Sequence, residues 1–392
     1  MVSKRMSLAP DPLQARLREL VDLEPHLPRT VQSVPDDQGP TTVSSRARAQ
    51  LSHTWIPVGP ACDSRTVTQG PFDMVSLSQR LATQPGYARA MDQRERETAA
   101  LLTLLRSKVH GSTWGSVAAE VSIAGSAIGL LDQADDGALF RSAKTEDLLA
   151  TATDEVRQWK RDGLTWVTVL DPGYPERLRD IRESPPFLFC AGEMREQDLG
   201  MSIVGSRAAS GWGLQFAADA ARLLVDSGLS VLSGLAEGID ATAHRTALDA
   251  GGRTVAFLGT GITQFYPAKN RELQSEIAQH GLVLSQFLPY TAPTKQTFPM
   301  RNATMSGYGL ATIVVEAGEH SGARIQARLA GQHGRPVVLT RRVAEGTVWG
   351  SEMATRVNVR VVDGLDDLAS VVAELRERPG ELQQALDALL TG

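Results

Sequence analysis

Four turns that contain glycine and serine, each directly after a short apolar run, hold the residues of this chain that could do chemistry. In order they read SIVGSRAASGWG, VLSGLAEGIDATAH, VAFLGTGITQFYPAKN and TIVVEAGEHSGARIQA. Glycine lets a ligand approach the backbone closely, and helix amino termini offer free N–H groups and a partial positive charge to anions. The four turns therefore predict a site for a phosphate-bearing molecule.

The candidate binding residues lie in these turns and in the cationic segments beside them. The arginine of the first turn, Arg207, can hold a phosphate with two parallel hydrogen bonds. After the third turn, FYPAKNR interleaves aromatic rings for base stacking with cations for a phosphate backbone. The DNA- or phosphate-binding candidates are Gly205, Ser206, Arg207, Ser233, Gly234, Gly259, Thr260, Gly261, Phe265, Tyr266, Lys269, Asn270, Arg271, Arg301, Asn302, Ser321 and Gly322.

Several of these residues also have a purely structural interpretation. The segment around Arg207 could be a tight turn with an exposed arginine, and Asn270 and Asn302 could cap helices. Glu316, at the end of an apolar run, is more typical of a carboxylate that orders a neighbouring loop than of a ligand contact. Turns in register along one sheet edge nevertheless favour a phosphate cradle over loop chemistry alone.

Catalytic machinery is not predicted. Ser206, His244 and Asp240 could be drawn as a hydrolase triad, but no G-x-S-x-G elbow presents the serine. Asp240 and His244 lie four residues apart on one predicted helix, so their proximity has a local explanation, and we expect His244 to be a packed helix residue. No spacing of His, Cys and Glu indicates a catalytic metal. We expect no metal, no cofactor and no enzymatic activity.

The elements that must position the turns alternate between strand and helix. Apolar runs predict strands at 201–204, 229–232, 254–258, 282–285, 312–315 and 337–340, with helices at 212–226 and 241–249. Such alternation implies a doubly wound α/β fold with a largely parallel sheet covered on both faces. The carboxyl ends of parallel strands meet at one edge of the sheet, so this fold would gather the four turns there.

Composition and periodicity divide the chain into four regions. Ten of the 20 prolines lie between Pro10 and Pro85, a stretch with little periodicity that buries too little apolar surface to order itself. After it, Leu101, Leu102, Leu104 and Leu105 supply the apolar face of a helix. The predicted organisation is a low-order extension at 1–90, a small helical unit at 91–160, the α/β domain at 161–375 and a helix or tail at 376–392.

Charge and cysteine content set further limits. The net charge of −5 excludes a generally basic nucleic-acid binder, but residues 201–345 carry 13 basic and 10 acidic side chains, a net +3 that leaves −8 elsewhere. A mildly positive core inside an acidic chain fits a localised phosphate site. Cys62 and Cys190 form no disulfide or metal framework, which favours a reducing compartment. No apolar run reaches transmembrane length, so we expect a cytoplasmic protein without a membrane partner.

The turns resemble those of the DNA-processing protein A family, also called Smf. The resemblance rests on VGSR, SGLAEGIDATAH, LGTGITQFYPAKN, FPMRN and VVEAGEHSGARIQA in that order, and on DPGYPERLRDIRESPPFLFCAG upstream. It implies an extended Rossmann-like fold and a non-enzymatic protein that binds single-stranded DNA without sequence preference and helps load a RecA-type recombinase in natural transformation or recombination. It also implies self-association as a homodimer. By motif, it places DNA contacts on Arg207, on Lys269 or Arg271, and on Arg301 and Asn302.

The chain also departs from the family pattern. ATMSGYG replaces an apolar RIIAG-like run, VHGSTWG replaces a GIGP-type hairpin, and Arg324 lies where a hydrophobic residue is expected. No carboxyl-terminal winged-helix module is recognised. Two other classes remain open: a Rossmann-like sensor of a nucleotide-derived ligand in defence or signalling, and an enzyme similar to the nucleotide phosphoribohydrolases. The second class carries a PGGxGTxxE signature, where this chain reads VVEAGEHSGAR.

Overall fold

The computed structural model describes residues 91–107, 113–134 and 142–377 of the 392-residue chain. The low-order extension predicted at 1–90 and all but the first two residues of the tail predicted at 376–392 lie outside these residues.

A nine-stranded sheet forms the centre of the described part of the chain. Its strands are β1 (Thr165–Thr168), β2 (Phe187–Gly192), β3 (Gly200–Val204), β4 (Ser230–Ser233), β5 (Thr254–Phe257), β6 (Leu282–Ser285), β7 (Thr312–Val314), β8 (Val337–Thr340) and β9 (Val359–Val362). Their order across the sheet is β1-β2-β6-β5-β4-β3-β7-β8-β9. The β1–β2 and β2–β6 pairs are antiparallel and the other six are parallel. The predicted α/β fold with a largely parallel sheet is confirmed, and the antiparallel extension adds to it.

Helices connect the strands of the sheet, and four further described helices precede β1 in the chain. They are α1 (Gln93–Ser107), α2 (Trp114–Ala124), α3 (Ala127–Ala134), α4 (Ala143–Arg161), α5 (Glu176–Arg179), α6 (Gly211–Asp226), α7 (Ile239–Asp249), α8 (Arg271–His280), α9 (Thr297–Tyr308), α10 (Gly322–Gln332), α11 (Arg341–Gly346), α12 (Val348–Ala354) and a helix over 365–377. No single described helix is long and apolar enough to cross a membrane, although the bent α2–α3 pair would pass on length and composition.

The two faces of the sheet bury different cores because side chains alternate along each strand. In β3, Ile203 belongs to the core that contains the apolar residues of α6 and α7, whereas Val204 belongs to the core that contains those of α9 and α10. The second core continues into the helical layer, where Trp159 of α4 meets Phe189 of β2 edge-to-face with ring centroids 4.9 Å apart. The sheet therefore serves as a rigid support for loops along its edge.

The strand order reverses direction beside β3. From β3 the chain builds outward through β4, β5 and β6 on one side, and then returns to place β7, β8 and β9 on the other. In open α/β sheets, ligands bind outside the carboxyl ends of the strands at such a reversal, because the two flanking loops diverge and leave a crevice. The β3–β7 boundary is therefore where a site is expected.

Candidate functional site

The loop after β3 is held tightly at the strand reversal. The Ser206 amide donates to the Glu316 carbonyl at 2.7 Å, and the Ile239 amide donates to the Ser206 carbonyl at 3.2 Å. A Cβ atom added to Gly205 would lie 2.6 Å from Ile239 Cγ1 and 2.8 Å from the Glu316 carbonyl oxygen. Glycine is thus required here because α7 and the end of β7 close in on the backbone.

Arg207 projects from this loop into solvent. Its guanidinium carbon lies 5.8 Å from the centroid of the Phe298 ring. Among the described residues, neither its guanidinium nor its backbone N–H has a hydrogen-bond or ion-pair partner. Arg207 therefore offers a positive charge and donors that no group of the described fold uses.

A cleft of about 590 Å³ opens between this loop and the start of α10. Seven of the predicted site residues line it: Gly205, Ser206, Arg207, Arg301, Asn302, Ser321 and Gly322. A smaller cavity of about 90 Å³, lined among others by Gly234, Gly259 and Tyr266, shares Arg207, Phe298 and Arg301 with the cleft. The structure thus brings the first, second and fourth turns together, with part of the third.

Arg301 lies beneath this surface and not on it. Its side chain is buried, and Nη1 donates to the carbonyls of Gly234 and Phe257. Burial lowers the pKa of Arg301 to about 10. Nε donates to the Asn302 side-chain oxygen, so among the described residues only Nη2 of the Arg301 guanidinium lacks a hydrogen-bond partner. The predicted phosphate contact at Arg301 stays a prediction, and in this structure most of its donors bind groups of the fold.

The second turn is occupied by the protein's own carboxylate. Asp240 Oδ2 accepts hydrogen bonds from the amides of Gly234 (3.1 Å) and Ala236 (3.3 Å), and burial raises the pKa of this carboxyl group. The hydroxyl of Ser233 is also buried and donates to the Ile203 carbonyl. The phosphate cradle predicted at Ser233 and Gly234 stays a prediction that the geometry does not favour, because internal acceptors already take their donors.

The third turn is covered by the loop that follows β6. The Gly261 amide donates to the Thr291 carbonyl at 2.8 Å, and the Thr260 carbonyl accepts from the Ser285 hydroxyl. Both turn residues are buried in this structure, so the predicted phosphate contacts at Thr260 and Gly261 stay predictions that the geometry does not favour. Gly259 alone reaches the smaller cavity, where a Cβ atom would lie 2.6 Å from the Phe298 ring.

The two predicted asparagines serve the fold. The Asn270 amide donates to the Leu235 carbonyl at 2.9 Å and makes no side-chain cap of α8. Asn302 lies inside α9, accepts from Arg301 Nε and donates to the Gly322 carbonyl at 3.4 Å. Neither the predicted cap nor an open DNA contact describes these side chains, because both are buried between loops that they connect.

Rings and cations are exposed on the segment after the third turn. Phe265 and Tyr266 are 37% and 42% exposed, and the Arg271 guanidinium carbon lies 4.4 Å from the Phe265 ring centroid. Lys269 pairs with Glu237 at 3.1 Å, but its side chain is 74% exposed. Because an exposed pair contributes only about 0–1 kcal/mol, an incoming phosphate can replace Glu237 at little cost.

The fourth turn lines the side of the cleft next to the start of α10. The Ser321 hydroxyl accepts from the Ala323 amide and caps the helix, while the Gly322 amide has no partner among the described residues. One turn inside, Arg324 is exposed and forms no ion pair within the described part of the chain. From the sequence, Arg324 was recognised only as a departure from the family pattern, and Phe298 only as part of the FPMRN motif.

The structural interpretation of two residues is confirmed. Glu316 accepts from the amide of Ser210 at 2.9 Å and from its hydroxyl, so it anchors the residue that caps α6. His244 is fully buried, with Nδ1 2.6 Å from the Thr254 hydroxyl, and burial lowers its pKa to about 3. Because His244 pairs with Thr254 and Asp240 binds backbone amides, the described residues show no hydrogen bond between His244 and Asp240.

Comparison with known proteins decides the family. A model of the family described as DNA recombination-mediator protein A matches residues 165–378. The chain belongs to this family. Protein Smf of Synechocystis is 40% identical over 177 residues, which cover 44% of this chain and 44% of that protein. DNA processing protein DprA of Streptococcus pneumoniae is 40% identical over 174 residues, covering 43% of this chain and 60% of that protein.

A solved structure shows the same architecture. The X-ray structure of DprA from Streptococcus pneumoniae superposes with a TM-score of 0.52 at 27% identity and covers 70% of this chain and 95% of that one. The Rossmann-like fold expected from the motifs is therefore confirmed. In sequence, the chain spans about half the length of the curated DprA and Smf relatives it matches.

A serine–histidine–glutamate series lies outside the lining of the cleft in this DprA-family chain. The described residues contain no group of three or more His, Cys, Asp and Glu side chains that could hold a metal ion. Ser306 Oγ, His333 Nδ1, His333 Nε2 and Glu183 form a hydrogen-bonded series at 2.8 and 3.0 Å, but Ser306 is only 2% exposed. We interpret this series as a link between α9, the end of α10 and the segment before β2.

Proposed function

We propose that this DprA-family protein binds single-stranded DNA without sequence preference at the carboxyl edge of its sheet. Phosphates contact Arg207, the free amides of the cleft and the exposed cations Lys269, Arg271 and Arg324. Bases stack on the accessible rings near the cleft. The observation that carries the proposal is the unpaired Arg207 guanidinium above the Phe298 ring at the mouth of the cleft.

The lack of sequence preference follows from which groups remain available. Guanidinium, ammonium and backbone N–H groups bind phosphates, and these carry no sequence information. Ring faces stack on any base. The side chains that could read a base edge, Asn270 and Asn302, bind backbone carbonyls of the fold instead.

The preference for single strands follows from the rings. Phe265 and Tyr266 can stack only on bases that are splayed out of a helix, because the bases of a duplex already stack on each other. Each stacked base contributes about 1–3 kcal/mol in proteins of this kind. A duplex would gain the phosphate contacts alone.

The broader role is proposed from the family resemblance. We propose that the protein acts in the cytoplasm as a non-enzymatic binder, that it associates as a homodimer, and that it helps load a RecA-type recombinase during DNA uptake or recombination. Its relatives are named DNA processing proteins, which supports a role in handling DNA.

A second candidate is a sensor of a small nucleotide-derived ligand. The cleft volume of about 590 Å³ favours it, because ligand pockets are commonly about 300–1,000 Å³. The ligand would then bind as a free molecule, without neighbouring nucleotides.

One experiment separates these candidates. Fluorescence anisotropy would compare a thymidine oligonucleotide, a mixed-sequence single strand and its duplex at two salt concentrations, with calorimetry of free nucleoside monophosphates alongside. We expect similar affinity for the two single strands, at least tenfold weaker binding of the duplex, since losing one stacked base costs about 1–3 kcal/mol, and a clear weakening by salt. Equal affinity for the duplex, or tight binding of a free nucleotide with none of the oligonucleotides, would refute the proposal.

A further inference from the structure

A third cation lies on a ring at the same edge of the sheet, beyond the motifs that identify the family. The guanidinium carbon of Arg342 lies 4.1 Å from the Trp212 ring centroid, in close stacking contact. Arg342 is exposed and Trp212 is partly exposed. The pair therefore has the same composition as Arg271 on Phe265 and Arg207 on Phe298.

These three pairs differ from the other cation–ring contacts of the described residues. Arg94 and Arg179 stack on Trp166 and Tyr174, whose rings are 6% and 3% exposed and belong to the core. Rings buried in this way cannot meet a ligand. At the sheet edge, by contrast, both members of each pair are accessible in part.

The charge of Arg342 is not compensated by its surroundings. The carboxylates of Glu345 and Asp363 bind Arg341, the residue before Arg342 in the chain. Arg342 itself forms no ion pair within the described part of the chain. The Arg342 guanidinium is therefore available to bind an anionic group of a ligand.

The pair lies on a continuation of the proposed DNA surface. Arg342 is the second residue after β8. Trp212 lies in the first turn of α6, five residues after Arg207, so at most about 18 Å of chain separates the Cα atoms of Arg207 and Trp212. Across the sheet, four strand spacings of about 4.8 Å separate β5, which precedes Phe265, from β8. The strands that precede the two outer pairs therefore lie about 19 Å apart across the sheet.

We propose that a single DNA strand runs along this edge across all three pairs, from Phe265–Arg271 over Phe298–Arg207 to Trp212–Arg342. At the third position the Arg342 guanidinium, held against the Trp212 ring, binds a phosphate. The inference rests on the proposed function. It adds an outer contact after β8 and a path for the strand along the edge of the sheet.

The test is a length series. Affinities of wild-type protein and of Arg342→Ala are measured for thymidine oligonucleotides from a few to about 20 nucleotides, with Arg356→Ala as the control. Arg356 is also exposed and without an ion pair among the described residues, but it precedes β9, at the opposite edge of the sheet. We expect Arg342→Ala to bind the shortest strands normally, to bind long strands about fivefold more weakly, and to lose about 0.7 from the salt slope.

A second variant tests the ring. Trp212→Leu is expected to weaken binding of long strands by a similar factor while leaving the salt slope unchanged, because it removes the ring that holds Arg342 and removes no charge. Circular dichroism melting confirms that each variant is folded.

The outcomes separate the two proposals. If Arg207→Ala weakens binding but Arg342→Ala matches wild type at every length, the outer contact is wrong and the proposed function stands. An equal loss for Arg342→Ala at all lengths also overturns the outer contact, because the residue would then act on the whole site. If the wild-type protein binds no single-stranded oligonucleotide, both the outer contact and the proposed function are overturned.

Discussion

Replacement of Arg207 by alanine is expected to weaken single-stranded DNA binding about 30-fold, whatever the sequence. Loss of one charge-assisted contact removes about 2 kcal/mol, and about 1.4 kcal/mol corresponds to a factor of ten. The slope of log K against log salt should fall in magnitude by about 0.7, because one phosphate contact is lost. Anisotropy titrations over a salt series measure both quantities.

Arg207→Lys gives the matched control for this prediction. Lysine keeps the charge but loses the planar fork and its stacking on Phe298. We expect intermediate affinity with the wild-type salt slope. If Arg207→Ala keeps the affinity and slope of the wild-type protein, the cleft mouth is not a phosphate contact.

Replacement of Arg301 by alanine is expected to lower the free energy of unfolding by about 3 kcal/mol. The buried carbonyls of Gly234 and Phe257 would lose their donor, and the buried Asp240 would lose a compensating charge. Urea unfolding followed by circular dichroism measures the change. Arg271→Ala, an exposed cation, is the control and should change stability by less than about 0.5 kcal/mol.

The same variant distinguishes two roles for Arg301. In the structure its guanidinium supports the second turn, so weaker DNA binding should accompany the loss of stability. Full stability together with lost DNA binding would instead mean that Arg301 contacts the strand directly and that its internal hydrogen bonds are not its main role.

Much of the fold is encoded in local patterns. The strands predicted at 282–285 and 337–340 match β6 and β8 to the residue, since fully buried strands are continuous apolar runs bounded by glycine or polar residues. The antiparallel position of β2 beside β6 is not encoded in this way. FLFCAG predicts a strand, but its partner depends on contacts between distant segments.

The sequence predicted which loops form the site, but not which of their side chains are buried. Arg207 follows a strand and a glycine, so its placement at the sheet edge could be inferred. Arg301 has a similar local sequence, but its burial depends on Gly234, where any Cβ atom would overlap its guanidinium. Arg342 follows the last recognisable motif, and its contact with Trp212, 130 residues earlier in the chain, depends on the tertiary fold.

Hydrogen exchange of the protein with and without a single-stranded oligonucleotide tests the central claim most directly. The claim is that one strand lies along the carboxyl edge of the sheet. We predict protection of the amides at 205–209 and 320–324, including the free amides of Arg207 and Gly322, and no change at 356–358 on the opposite edge. Protection confined to the opposite edge, or none at 205–209 under saturating DNA, would contradict it.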